Sequence, residues 1–254
     1  MTMPTNPPTN PPTSMPVPGP GLPGWIWTVD PPARWLVVPA RATEAAEDIA
    51  TWESEAAVAV RESLQAECHA EDVAPADAVA QTDADADADT DIDTGALDDA
   101  RRAELDRAAG ESVANLRAFA DGMAAEGHRV VAALGVLGRG PVPVLVAVGA
   151  SDPADPDDGL LAALGATGGN PAAPPNVEYP DLPDGDGVRV TRLDVGGLSG
   201  SGWLSVGLGR RAERDGVLLD TVLVWRSQDL MLGAAMLELL DELLPAVRFT
   251  RTAA

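Results

Sequence analysis

An α+β fold, with a mostly antiparallel sheet packed by helices in an α/β/α sandwich-like arrangement, follows from three features of the sequence. Short aromatic and β-branched runs recur, several separated by Pro/Gly turns too short for a parallel crossover. Two long segments carry apolar residues at three- and four-residue steps, which is helical spacing. Two further runs are apolar on both alternating faces, as in strands covered on two sides. The order read is β-β-α-linker-α-β-β-α-β-β-β-α, and 254 residues with 45% hydrophobic content suit one principal domain.

Residues 1–23 form a Pro-rich tail with a PPT/NPP quasi-repeat and almost nothing to bury, predicted to be disordered or polyproline-like. The α+β domain is placed at 24–254. "GWIWT" and "RWLVVP" read as strands, because the prolines of "VDPPA" force a turn between them. Thr43 offers an N-cap, with Glu44, Glu47 and Asp48 near the positive end of the helix dipole. Ile49, Trp52, Ala56, Val60 and Leu64 then make one stripe of a long helix. An acidic linker at about 69–97 interrupts the domain, since its Ala/Asp alternation has too little apolar surface to offset its ordering entropy.

A second helix is predicted from about Asp98 to Glu126, with Leu105, Ala109, Val113, Leu116, Ala120 and Met123 on one stripe and Gly127 ending it. "HRVVAALGVLG" and "VPVLVAVGA" read as buried strands joined through "GRGP". A short helix near Asp157–Leu164 and a Pro/Gly/Asp loop to Gly187 precede three strands, "VRVTRLDV", "WLSVGLG" and "VLLDTVLVW". The last helix, about Gln228 to Leu244, carries two neighbouring apolar stripes, a face wider than a surface helix needs. Pro245 stops it, and "VRFT" returns as a strand.

The formal charge of −23 and pI near 4.2 set up a field that repels phosphate backbones and anionic lipid, so neither nucleic acid nor membrane is expected as a partner. All 17 basic residues are arginine. Without lysine there is no Walker phosphate loop and no Schiff-base chemistry. One cysteine, Cys68, precludes an internal disulfide and, with no signal-like N-terminus and no bilayer-length apolar run, points to the cytoplasm.

Motifs that suggest chemistry fail on their surroundings. Asp89, Asp91 and Asp93 have calcium-loop spacing, but Thr94 stands where the turn glycine belongs and Ala100 where the bidentate Glu belongs. "IDTGA", Ile92–Ala96, matches the aspartic protease turn without its apolar flanks or a second copy. Cys68, His69 and His128 lack a metal-fork spacing, and "GGLSGSGW" satisfies neither a nucleophile elbow nor a dinucleotide loop. No catalytic residue, metal site or cofactor is therefore assigned.

"GWIWTVDPPARWLVVP", "RAELDRAAGESVANLRAFADGMAAEG" and "VLVWRSQDLMLGAAMLELLDELLPAVRF" resemble actinobacterial proteins that begin with a Pro-rich leader and Gly-Trp. Their layout is similar to the PsbP-like α/β/α sandwich. The resemblance covers about Gly24 to Thr250 and implies a fold used by non-catalytic binding and assembly factors, with no functional residue to carry over.

The function expected is that of a non-catalytic protein-binding or adaptor module, in the setting of a specialised secretion system, which meets another protein or a second copy of itself. Its expected contacts are the wide helix face, Leu232, Met236, Leu239 and Leu243, and the arginines Arg210 and Arg211 beside Arg214, which suit a carboxylate or phosphate. The alternative is a hydrolase or metal-dependent enzyme using loop carboxylates around 152–158, namely Asp152, Asp155 and Asp157, just after a buried strand.

Overall fold

A computed structural model describes residues 22, 24–72, 94–151, 158–182, 184–195 and 201–252. The Pro-rich tail apart from Leu22, the middle of the acidic linker and the carboxylates at 152–157 lie outside these; Leu22 is buried in the core, so the domain takes in the end of the stretch read as tail. Among the described residues ten strands and four α-helices follow in order: β1 (Trp25–Val29), β2 (Trp35–Val38), α1 (Ala46–Asp72), α2 (Thr94–Ala124), β3 (Arg129–Ala133), β4 (Val142–Ala150) and α3 (Asp158–Ala163). The second half holds β5 (Asn176–Glu178), β6 (Asp181–Leu182), β7 (Gly185–Val195), β8 (Gly202–Arg214), β9 (Val217–Ser227), α4 (Gly233–Leu243) and β10 (Val247–Arg251).

The main sheet runs β2-β3-β4-β9-β8-β7-β5 with β6 also on β7, every pairing antiparallel, while β1 and β10 form a separate antiparallel ribbon. Strand alternation divides the sheet into two cores. Val130 and Ala132 of β3 point to α1 and α2, where Trp52, Ala56 and Val60 meet Ala109, Val113 and Leu116. Val131 and Ala133 point the other way, into the cluster that holds α4 and the ribbon residues Trp27, Val29 and Val247. On the α1/α2 face α3 covers β7 and β8 through Leu160 and Leu164. The result is α+β with helices on both faces of an antiparallel sheet.

Two local sequence choices make the layers fit. Gly207 and Gly209 lie under α3, and a Cβ at Gly209 would come within 2.8 Å of Leu160 and 2.9 Å of Leu164, so β8 gives up side chains where the helix presses close. At Gly233 a Cβ would collide with Leu204 of β8, which lets α4 start in contact with the strand. From Leu204 to Arg210 the strand covers about 20 Å. The eleven residues of α4 cover about 16 Å. Helix and strand therefore run side by side, and the chain leaves α4 above Arg210, whose Nη2 donates to the Val247 carbonyl at 3.0 Å.

Some expected boundaries move. α1 continues to Asp72 and α2 begins at Thr94, so both ends of the interval read as linker are helical, each extending a helix whose apolar stripe is already anchored. β5 and β6 arise inside what reads as a featureless Pro/Gly/Asp loop, because β7 offers them an edge to pair with. Among the described residues no helix is long and apolar enough to cross a membrane.

Candidate functional site

The wide apolar face of the last helix is not an exposed contact. Leu232, Met236, Leu239 and Leu243 are all buried in the subunit's own core, packed with Trp27, Trp35, Val131, Leu208 and Leu223. The face is wide because two partners cover it, the sheet below and the β1–β10 ribbon beside it. The ribbon is assembled from the two ends of the domain, so no local stretch of sequence announces it. At roughly 1.5–3 kcal/mol per fully buried large side chain, Met236, Leu239 and Leu243 are held by the fold and offer no face to a partner, while Leu232 borders a groove.

The arginines also separate. Strand alternation sends Arg210 and Arg214 to the α4 face of β8 and Arg211 to the other. Arg211 makes a two-pronged ion pair with its cross-strand neighbour Asp220, Nε and Nη2 each 2.7 Å from a carboxylate oxygen, which leaves its fork engaged inside the protein. Arg210 is 5% exposed and borders a pocket.

Apolar surface that is free to meet a partner lies elsewhere. At the end of the sheet where β4 begins and β9 ends, a groove of about 500 Å³ opens between α2, the β3–β4 turn and the 3-10 turn Leu230–Leu232 that precedes α4. Leu116, Pro141, Val142, Pro143, Trp225 and Leu232 supply its apolar lining, and Phe119, 38% exposed, stands on its α2 side. Leu137, 62% exposed, sits in the β3–β4 turn beside the lining residue Arg139. Leu230 and Met231, 51% and 75% exposed, sit between the lining residues Asp229 and Leu232.

The frame of this groove is fixed by local chemistry. Asp229 caps the 3-10 turn by accepting from the Met231 amide at 3.1 Å, and its other oxygen accepts from Arg139 Nε at 2.8 Å, tying the two turns together. Leu137 is held at φ +49°, a left-handed conformation that costs a γ-branched residue roughly 1 kcal/mol or more. The tight Val136–Arg139 bridge imposes that conformation, and the consequence is a leucine pushed into solvent. Arg226, which also lines the groove, stacks on Trp203 at 5.2 Å.

The remaining sequence candidates are scattered. Thr94, Gly95 and Ala96 of the protease-like motif belong to the first turn of α2 rather than to a turn between strands, and Asp89, Asp91 and Asp93 lie outside the described residues. So do Asp152, Asp155 and Asp157, and the side chains of Cys68 and His69. His128 Nδ1 stands 3.6 Å from Glu126. Tyr179 is exposed. Among the described residues no three His, Cys, Asp or Glu side chains are grouped to hold a metal ion.

Phe119, Leu137, Leu230 and Met231 come from three elements, so no local sequence pattern groups them. No family model matches the chain, and neither a curated protein nor a solved structure matches it.

Proposed function

We propose that this protein is a non-catalytic protein-binding module that seats a bulky apolar side chain of its partner in the groove between α2, the β3–β4 turn and the turn before α4. The observation that carries this reading is a groove with an apolar floor that the exposed Phe119 lines, with three more exposed large apolar residues, Leu137, Leu230 and Met231, within two positions in the chain of its lining residues Arg139, Asp229 and Leu232. Leaving such residues in water is unfavourable by roughly 25 cal/mol per Å², and burying them against a partner recovers it. The groove's volume of about 500 Å³ suits one or two side chains, the scale of a hot-spot pocket rather than of a broad flat interface.

The partner's chemistry follows from the charge. With −23 on this chain, an apolar anchor flanked by basic residues is drawn in, while an acidic segment is held off. Non-catalytic binding is also what a resemblance to the PsbP-like sandwich would imply.

Photo-crosslinking in the native host tests the proposal, with the crosslinker placed in turn at Leu137, Met231 and, as a control, the exposed Glu104 of α2. A discrete adduct from Leu137 and Met231, absent from Glu104 and lost when Leu230→Asp is added, is the expected result. Adducts that are the same from all three positions, or none from the groove, would refute it.

A further inference from the structure

Another concavity among the described residues has the opposite chemistry, and its construction is unusual for so acidic a chain. A pocket of about 420 Å³ is lined by Asp184, Arg210, Arg214, Pro245, Val247, Arg248 and Phe249. Arg210 and Arg214 come from one face of β8 with the small Ala212 between them, and Arg248 reaches in from β10. Three guanidinium groups and one carboxylate leave the pocket about two positive charges, in a protein of net charge −23.

Arg210 is the group whose state demands a ligand. Its side chain is 6% exposed, and it finds little compensation where it is buried. Nη2 donates to the Val247 carbonyl at 3.0 Å, Nη1 stays 3.9 Å from Asp184, and Nε has no hydrogen-bond partner. Directly across on β9, Thr221 is fully buried with its hydroxyl also unpartnered. Burial pushes the Arg210 guanidinium below its ordinary pKa, Asp184 opposes this, and the nearby charge of Arg214 adds to it. Arginine nonetheless stays protonated at any physiological pH, so the pocket holds a real, undercompensated charge.

The other two arginines are also available. Arg214 donates to the carbonyl of its own neighbour Glu213 at 3.3 Å and Arg248 is exposed; no carboxylate pairs with either among the described residues. Arginines elsewhere are handled differently: Arg34, Arg61, Arg139, Arg189, Arg192 and Arg251 each pair with an acid. A chain with 40 acidic residues that places one exposed carboxylate against three arginines has kept the site open.

The geometry points to an oxyanion-binding site at Arg210, Arg214 and Arg248 that takes a dianionic phosphate group, free or as the terminal ester of a small molecule. A phosphate carries about −1.5 to −2 charges at neutral pH and three strongly accepting oxygens, which matches the local excess of about two and the three forks. A monoanionic carboxylate would leave one positive charge uncompensated. Pro245 and Phe249 give the wall an apolar side against which the carbon skeleton of an ester can rest. The site is separate in its residues from the groove proposed for a protein partner, so the two ideas stand or fall independently.

Calorimetric titration of the full chain with inorganic phosphate, glycerol phosphate and acetate, at constant ionic strength, tests this. Saturable one-to-one binding of phosphate, with acetate at least about tenfold weaker, is expected, since a charge-assisted bond lost is worth about a factor of ten. Arg214→Gln and Arg248→Gln, both partly or wholly exposed, should each weaken phosphate by about tenfold without moving the urea midpoint. Asp184→Asn should tighten it, by removing the carboxylate nearest Arg210. Arg102→Gln on α2 serves as the control for bulk electrostatics and should change nothing. Tight binding of glycerol phosphate assigns the site to an ester, and its exclusion with phosphate retained assigns free phosphate. No saturable phosphate binding, or binding indifferent to Arg214→Gln and Arg248→Gln, or equally weakened by Arg102→Gln, would overturn the assignment.

Discussion

Arg192 holds the loop after α3 to the sheet, and replacing it with methionine should remove that loop's anchor while keeping the apolar stem. The residue is 7% exposed on β7. Its Nε and Nη2 reach Asp194 at 2.7 and 2.5 Å, and Nη1 donates to the carbonyls of Gly165 at 2.8 Å and Thr167 at 3.3 Å. The backbone is shaped around it: Gly169 sits at φ +65°, and a Cβ there would collide with the guanidinium. In Arg192→Met the Gly165 carbonyl loses a charged donor, a loss of about 1.5–3 kcal/mol. Asp194 keeps Arg226 at 3.4 Å but loses its better partner, and breaking a buried pair by removing one side costs about 3–5 kcal/mol. These overlap, so a total of about 4 kcal/mol is expected, a large share of the roughly 5–15 kcal/mol that holds a domain folded. With a urea slope of about 2 kcal/mol/M the midpoint should drop by about 2 M. Hydrogen exchange should localise the effect, with the amides of Ala166 and Ala172, bonded to Leu161 and Leu193, losing protection before those of β9. Arg192→Lys, which keeps the charge but not the fork, should fall between. A midpoint for Arg192→Met within about 0.3 M of the parent chain would show that the loop is held by something else.

Leu243→Ala should destabilise by about 2–5 kcal/mol in urea titration and leave the sedimentation coefficient of the folded protein unchanged, because this side chain is core and not interface. Gly185→Ala should cost more than about 2 kcal/mol, since the residue is at φ +144° and a Cβ would strike the Arg211 carbonyl; loss of the β6–β7 pairing in exchange data is the readout. Burial raises the pKa of Glu44 above its usual 4.5, with Arg129 opposing and Asp48 adding. As pH rises past 4.5 the unfolded chain releases this proton before the folded one does, so stability falls with rising pH, and Glu44→Gln should flatten that decline in denaturation curves taken across the range.

What the sequence makes visible is whatever depends on neighbours three, four or two residues away. Trp52, Ala56 and Val60 on α1, and Ala109, Val113, Leu116 and Ala120 on α2, are read as stripes and found buried together, because helical periodicity decides which side chains share a face. β3 and β4 are legible for the same reason, as runs apolar on both faces. The ribbon of β1 and β10 pairs Trp27 with Phe249 across more than two hundred residues, and nothing local to either strand encodes that. Without the ribbon, the apolar width of α4 reads as surplus, and the candidate contact follows from the omission. The same limit applies to the arginines: Arg210, Arg211 and Arg214 look like one cluster along the chain, yet period-two alternation splits them and Arg248 completes the group from 34 residues beyond Arg214.

Arginine is the sole cation in this chain, and that constrains where functional charge can reside. A planar fork prefers carboxylates, and acids outnumber arginines by 40 to 17, so in the absence of competing constraints every arginine should find an acid. Most do, on the surface or between strands. Where the fold leaves one with only a distant, exposed acid, as buried Arg210 has Asp184 at 3.9 Å, folding has been made less favourable than it needed to be. A hydrophobic residue at that position would avoid the desolvation cost, as buried ion pairs generally show when exchanged for apolar side chains. An arginine kept there, with two further arginines at its mouth, is therefore better explained by an anion that arrives after folding than by any contribution to the fold itself.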